Sequence, residues 1–238
     1  MQRVLNLKIK IFSDGANLDD FRSLGNLEYI KGFTTNPSLM RKAGVSHYAA
    51  FIKEVLPLVG TKPISFEVIS DQFPEMKRQA LKLAELGDNV YVKIPITNTR
   101  AETSVPLIAE LRQAGVRVNV TAITTIRQVQ ELVPLFTRTG PMVISVFAGR
   151  VADTGVDPVP LMTRAKHLLS GAPGIELLWA SSRELLNIFQ AESAGCDIIT
   201  VMPDLLKKLA LIGYDLEQYS LDTVKTFYND ALASQLNL

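Results

Sequence analysis

The sequence predicts an α/β protein built as a closed (β/α)8 barrel, a TIM barrel, with a helical extension at its C-terminal end. Three observations lead there. Short apolar or alternating runs rich in Val, Ile and Phe recur along the chain, each followed by a longer helical pattern. Eight such units in 238 residues average about 30 residues apiece, the size of a βα repeat. No Gly-rich dinucleotide fingerprint follows the first run, as a doubly wound nucleotide-binding sheet would require.

In chain order the strands are expected at residues 9–13, 29–34, 64–68, 90–95, 116–122, 142–148, 175–180 and 198–201. Each is a brief apolar run bounded by polar residues or Gly, the pattern of a buried strand. The helices between them are amphipathic. Residues 71–86 place Met76, Ala80, Leu83, Ala84 and Leu86 mostly on one face, with Lys77, Arg78, Lys82 and Glu85 outside. Residues 125–138 and 157–170 behave similarly. Gly87, Gly115 and Gly195 stand just before the next strand, where helices stop. Residues 203–211 form a further helix candidate, and 215–238 a helical tail whose Leu221, Val224, Phe227, Tyr228 and Leu232 need a surface to cover, by packing or by contact between protomers. No Pro-rich or Gly/Ser-rich linker divides the chain, so residues 1–238 are expected to form one barrel domain with 215–238 as its tail.

Composition narrows the function classes. Apolar residues make up 47% and charged residues 21%, which suits a sizeable core and argues against disorder. Net charge is +1, from 25 basic and 24 acidic side chains with no basic run, so nucleic acid is not an expected partner. A local basic pocket for a small anion remains compatible with that balance. A single cysteine, Cys196, excludes an intrachain disulfide and favours a reducing, cytoplasmic setting. Residues 1–10 lack the long apolar core of a signal peptide, and no apolar stretch is long enough to span a membrane.

In such barrels, reactive groups lie at the C-terminal ends of the strands and in the loops that follow. The polar residues closing the runs are Asp14, Thr34 to Asn36, Glu67, Lys93, Asn119 with Thr121, Ser145 with Arg150, and Ser181 to Arg183. Lys93 interrupts an otherwise apolar strand. Loss of solvation favours a neutral amine, the form that attacks a ketone to make an imine. A buried ion pair with Glu67 or Asp14 is the equal alternative on pattern alone. Two carboxylates beside an amine can divide general acid and base work, although Asp14, followed by Gly15 and a helix, also reads as an N-cap.

Thr34-Thr35-Asn36-Pro37-Ser38 reads either as a turn and cap or as neutral groups that orient hydroxyls. Arg150 and Ser181 to Arg183 can make a phosphate cradle, or surface ion pairs such as Arg150–Asp153. His47 and His167 sit in helical patterns and suit surface or packing roles. No cluster has metal-ligand spacing, so neither metal nor cofactor is expected. Cys196 reads as a small buried residue, and Trp179 as packing at the border of the anion cradle.

Four segments, in order, resemble the transaldolase family: Gly32-Phe33-Thr34-Thr35-Asn36-Pro37-Ser38-Leu39, Tyr91-Val92-Lys93-Ile94-Pro95, Ile144-Ser145-Val146-Phe147-Ala148-Gly149-Arg150-Val151, and Ala180-Ser181-Ser182-Arg183. The resemblance implies that Lys93 forms a Schiff base with a ketose, with Asp14 moving the C4 hydroxyl proton and Glu67 with Thr121 holding a relay water. It implies that Thr34, Asn36, Asn119 and Ser145 orient a dihydroxyacetone unit, and that Arg150, Ser181 and Arg183 bind phosphate. The expected substrates are therefore small sugar phosphates, moved from sedoheptulose 7-phosphate to glyceraldehyde 3-phosphate. The related fructose-6-phosphate aldolases typically carry Gln where this chain has Glu67 and Tyr where it has Phe147; both departures favour transfer. Release of free dihydroxyacetone, or transfer of a sulfonated sugar, is the alternative. A barrel that only binds sugar phosphates is disfavoured by the amine and two carboxylates. Short family members commonly form pentamers or decamers through C-terminal helices, so a homo-oligomer is expected.

Overall fold

The computed structural model describes residues 7–136 and 140–234. Residues 1–6 of the N-terminal segment, 137 and 138 of the expected helix 125–138, and 235–238 of the tail lie outside the described residues. Eight parallel strands close into one barrel in sequence order: β1 (Lys10–Asp14), β2 (Ile30–Thr34), β3 (Ile64–Glu67), β4 (Val90–Pro95), β5 (Val118–Ile123), β6 (Met142–Val146), β7 (Ile175–Trp179) and β8 (Ile198–Val201), with β8 pairing back onto β1. The expected (β/α)8 fold is thus the observed one, with strand ends shifted by two residues or fewer.

The connecting helices are α1 (Leu18–Gly25), α2 (Pro37–Lys42), α3 (Tyr48–Val59), α4 (Phe73–Ala84), α5 (Val105–Gln113), α6 (Ile126–Leu132), α7 (Ala148–Ala152), α8 (Val159–Leu168), α9 (Leu186–Ser193) and α10 (Pro203–Leu206), with α11 (Leu216–Ala233) as the C-terminal extension. Local chemistry fixes several of their ends. Thr125 and Gln128 form a reciprocal capping box that starts α6. That helix stops at Leu132 and passes into a 3-10 turn, Val133–Leu135, shorter than the expected 125–138. Pro134 lacks the N–H that a continuing α-helix would need. Gly115 and Gly195 end α5 and α9 with φ of 81° each, a conformation glycine adopts without penalty. Gly87 is not in that conformation, so its place after α4 does not depend on a left-handed turn. Residues 203–211 divide into α10 and a 3-10 turn, Lys207–Leu211.

Strand periodicity then sorts the side chains. Alternate residues face opposite sides of the sheet. Ile64 and Phe66, Val90, Val92 and Ile94, and Val118 and Val120 all pack in the shell between barrel and helices, each nearly or completely buried. Full burial of such side chains stabilises by about 1.5–3 kcal/mol each, so this shell carries most of the fold's hydrophobic stabilisation. The opposite faces point into the bore. Phe12, Val143, Leu178, Ala180 and Ile198 form a separate apolar cluster there, flanked by Tyr91 and Phe147. Polar side chains occupy the bore above it, at the strands' C-terminal ends.

One close approach makes the apolar plug possible. The β1–β2 register passes from Ile11↔Ile30 to Phe12↔Gly32, leaving Lys31 as an extra residue in β2. Gly32 then lies against the Phe12 ring, and a Cβ there would fall 2.5 Å from Cζ. The extension behaves differently from the barrel. Helix α11 buries none of its residues, and Leu216, Val224, Phe227, Tyr228 and Leu232 are all exposed. Gly32→Ala should destabilise the chain by about 1–3 kcal/mol through overpacking against Phe12. Chemical denaturation reads this as a lower midpoint at unchanged slope; an unchanged midpoint would mean that the plug yields freely.

Candidate active site

The pairing register brings the strand-end residues together. Asp14 lies opposite Thr34, Glu67 opposite Lys93, Lys93 opposite Asn119, and Pro95 opposite Thr121. The result is a cavity of about 400 Å³ at the C-terminal mouth, lined by Asp14, Thr34, Asn36, Glu67, Lys93, Asn119, Thr121, Ser145, Phe147, Arg150 and Ser181 among others. Of the polar strand-end residues expected from the sequence, Thr35, Ser182 and Arg183 do not line it.

Lys93 is 5% exposed. Its Nζ donates to the Thr35 carbonyl at 3.0 Å and lies 3.2 Å from Glu67 Oε2. The ion pair and the nucleophile are therefore not exclusive: the same amine is paired and opens onto the cavity. Glu67 is itself placed by Tyr48, whose hydroxyl donates to the Glu67 carbonyl at 2.9 Å. Asp14 does not cap the helix after it. Asn17 caps α1 by accepting from the Asp19 N–H at 2.8 Å, which leaves the Asp14 carboxylate in the cavity, accepting from Thr34 Oγ1 at 2.8 Å.

Ser145 Oγ donates to Asn119 Oδ1 at 2.6 Å, and Asn119 Nδ2 donates to Ser65 Oγ at 3.0 Å, so a buried chain of three side chains fixes the amide. Asn36 caps α2, accepting from the Leu39 N–H at 3.0 Å, and also lines the cavity. Thr121 Oγ1 is buried without a hydrogen-bond partner among the described residues, and Thr121 lines the cavity. An orphaned buried hydroxyl is costly unless a ligand or water completes it.

The other end of the cavity is cationic. The Arg150 guanidinium stands 5.5 Å from the Phe147 ring centroid, a cation–π distance. Ser181 has φ of 62°, strained for a residue with a Cβ. The turn is held because Gly149 leaves room beneath it; a Cβ on Gly149 would meet the Ser181 carbonyl at 1.6 Å. Arg183 departs from expectation. Its Nε donates to Asp153 Oδ1 at 2.9 Å and its Nη2 to Asp153 Oδ2, so Asp153 holds Arg183 rather than Arg150. Trp179 does not border this cradle: it is fully buried in the shell behind β7. Cys196 is buried, its thiol pushed up to about 12 chiefly by that burial.

Thr124 and Thr200 also line the cavity and were not singled out from the sequence. For Thr200 the signal was present, since it is the inward alternate of Ile198 on β8. Among the described residues no group of His, Cys, Asp or Glu could hold a metal ion, and no helix is long and apolar enough to cross a membrane.

The family described as Transaldolase/Fructose-6-phosphate aldolase matches residues 11–237. The chain belongs to that family. A "probable transaldolase" of Bartonella henselae is 31% identical over 216 residues, covering 90% of this chain and 94% of its own. Those of Methanococcus maripaludis and Thermoplasma volcanium are 34% and 33% identical, each over 84% of this chain and 89% and 87% of theirs. Solved structures show the barrel alone. A lyase/mutase candidate from Burkholderia cenocepacia J2315 superposes with a TM-score of 0.60 at 13% identity, over 88% of this chain and 84% of that one. A flavocytochrome b2 mutant with benzoylformate gives 0.58 at 12% identity, over 82% of this chain; the match spans only 57% of that longer chain.

Within this family member the two carboxylates of the cavity have different surroundings. Burial pushes the Asp14 carboxyl above the usual carboxylate range; the Lys93 charge and the Thr34 hydrogen bond pull it partly back, and Glu67 adds a smaller upward push. The folded chain thus holds the Asp14 proton to higher pH than the unfolded chain. Between the ordinary carboxylate value and the raised one, stability falls as pH rises, and above that window the charged group is a standing cost. Asp14→Asn should therefore raise the stability at pH 7 by on the order of 1 kcal/mol, the gain vanishing below about pH 4. Thermal unfolding at the two pH values checks this. A variant less stable than the parent at pH 7 would mean that attraction to Lys93 outweighs burial.

Proposed function

We propose that the chain is a transaldolase of the Schiff-base type, moving a dihydroxyacetone unit from sedoheptulose 7-phosphate to glyceraldehyde 3-phosphate to give erythrose 4-phosphate and fructose 6-phosphate. The observation that carries this reading is the Lys93 amine, buried, 3.2 Å from Glu67 and open to a cavity that also holds Asp14. Lys93 attacks the C2 carbonyl of the donor and loses water to form the imine. Asp14 takes the C4 hydroxyl proton as the C3–C4 bond breaks, releasing the aldose phosphate and leaving an enamine on Lys93. Addition of that enamine to the acceptor aldehyde, with proton return from Asp14, forms the new bond. Water then hydrolyses the imine.

Glu67 with the unpartnered Thr121 hydroxyl suits the water that relays protons in forming and hydrolysing the imine. Thr34, Asn36, Asn119 and Ser145 orient the three-carbon unit. Phe147 and Arg150, with Ser181 and Arg183, take the phosphate end. A raised Asp14 fits a group that must both accept and return a proton. The fold and the single buried thiol of Cys196 fit a cytoplasmic enzyme working on soluble sugar phosphates. The exposed apolar face of α11, together with an apolar groove of about 460 Å³ between α3 and α4, supports self-association of the chain, as the pentamer or decamer that the family resemblance implies.

Borohydride reduction in the presence of fructose 6-phosphate should add a three-carbon group to Lys93, read by peptide mass. Lys93→Met should lose activity by several orders of magnitude while remaining folded; an unmodified Lys93 in an active sample would remove the mechanism. Product formation should require an acceptor aldehyde. Steady release of free dihydroxyacetone without one would instead make the chain an aldolase.

Sedimentation of the full chain should give the mass of a pentamer or decamer of 26.2 kDa protomers, and a chain ending at Gly213 should dissociate. A monomeric full-length chain would overturn the assembly.

A further inference from the structure

We propose that Asp153 is a competing counter-ion at the anion end of the cavity, holding Arg183 away from an incoming phosphate so that phosphorylated sugars bind weakly enough to leave. The inference rests on the reading above that this end takes phosphate.

The pair is two-pronged. Nε and Nη2 of Arg183 both donate to the Asp153 carboxylate, the fork geometry that a phosphate would also use. Arg183 does not line the cavity, whereas Ser181, two residues earlier, does. The backbone between them has no freedom to supply the missing reach. Ser182 Oγ donates to the Thr200 carbonyl at 2.8 Å, and the N–H groups of Arg183 and Glu184 both donate to Asn187 Oδ1, at 2.7 and 3.1 Å. Gly149 packs under the Ser181 carbonyl. Only the Arg183 side chain can exchange partners. Asp153 also feels Arg150: after the Arg183 hydrogen bond, the charges of Arg183 and Arg150 both help hold its carboxyl below the usual range. Among the described residues, its direct contact is with Arg183 alone.

Exposure decides how firmly the latch holds. The Arg183 and Asp153 side chains are 45% and 49% exposed, so the pair is weak, worth roughly a two- to fivefold change in affinity. A phosphate group carrying about −1.5 to −2 charge outcompetes a single carboxylate for the same guanidinium. A neutral sugar does not. If Asp153 merely steered Arg183 toward the ligand, the guanidinium would already line the cavity. The chemical sense is turnover: each cycle releases two different sugar phosphates, and an unopposed pair of arginines would retain them.

Calorimetric titration of the full chain with inorganic phosphate separates the possibilities without relying on turnover. Asp153→Asn should bind phosphate about two- to fivefold more tightly than the parent. The double variant with Arg183→Ala should lose that gain. The KM for glyceraldehyde 3-phosphate should fall by a similar factor, and that for glyceraldehyde should not move. Unchanged or weaker phosphate binding in Asp153→Asn, or a gain that survives in the double variant, would overturn the proposal. Failure of the imine chemistry would show separately, as absent borohydride trapping on Lys93 with phosphate binding intact.

Discussion

The Lys93–Glu67 contact is the constraint around which this molecule is arranged. An amine at 5% exposure, 3.2 Å from a carboxylate, has given up solvation that a buried pair recovers only with good geometry and further hydrogen bonds. The geometry comes from the closed sheet: parallel register sets Glu67 and Lys93 directly opposite on β3 and β4. The further hydrogen bonds come from outside the pair, from the Thr35 carbonyl on Lys93 and from Tyr48 on the Glu67 backbone. None of this increases stability much compared with an apolar pair. It is tolerated because the shell of Ile, Val and Phe between strands and helices supplies the stabilisation, leaving the mouth of the bore available for polar groups.

The same separation explains the layering of the bore. Phe12, Val143, Leu178 and Ile198 form an apolar layer of the bore beneath the polar ring. That layer shapes the floor on which Asn119, Ser65 and Ser145 form their hydrogen-bonded chain. The Phe12 ring needs Gly32 beside it and a bulge at Lys31 to fit. A local irregularity in one strand pair thus supports a regular arrangement above it.

Much of this was legible in the sequence because strand alternation is a strong signal: residues closing each apolar run had to converge if the sheet closed. Asp14, Thr34, Glu67, Lys93, Asn119, Thr121 and Ser145 follow from that parity alone, and Thr200 would have followed by the same count. What the sequence did not reveal depends on side-chain competition across loops. Capping of α1 passed from Asp14 to Asn17, three residues on, because Gly15 and Ala16 separate the strand end from the helix start. Asp153 chose Arg183, thirty positions away, over Arg150 in the helix that Asp153 ends. The strained Ser181 turn depends on an absent Cβ at Gly149, in the helix that follows β6. The apolar stripe of the 215–238 segment was visible, but its lack of any buried residue on this barrel was not.

The two ends of the cavity therefore obey different physics. At the floor, Lys93, Asn119 and Ser145 are all within 5% of complete burial, and each is held by hydrogen bonds between fixed strands. Electrostatic interactions there are strong and slow to rearrange, which suits bond making at a defined position. At the rim, the Arg183–Asp153 pair is nearly half exposed, screened by solvent and held by side chains alone. Charges there exchange partners at little cost, which suits a group that must be gripped and released. The turn carrying Ser181 joins the two regimes, rigid in its backbone and adaptable in the side chain that follows. A barrel places such a junction naturally, because each strand end is fixed by the sheet while the loop beyond it answers to solvent.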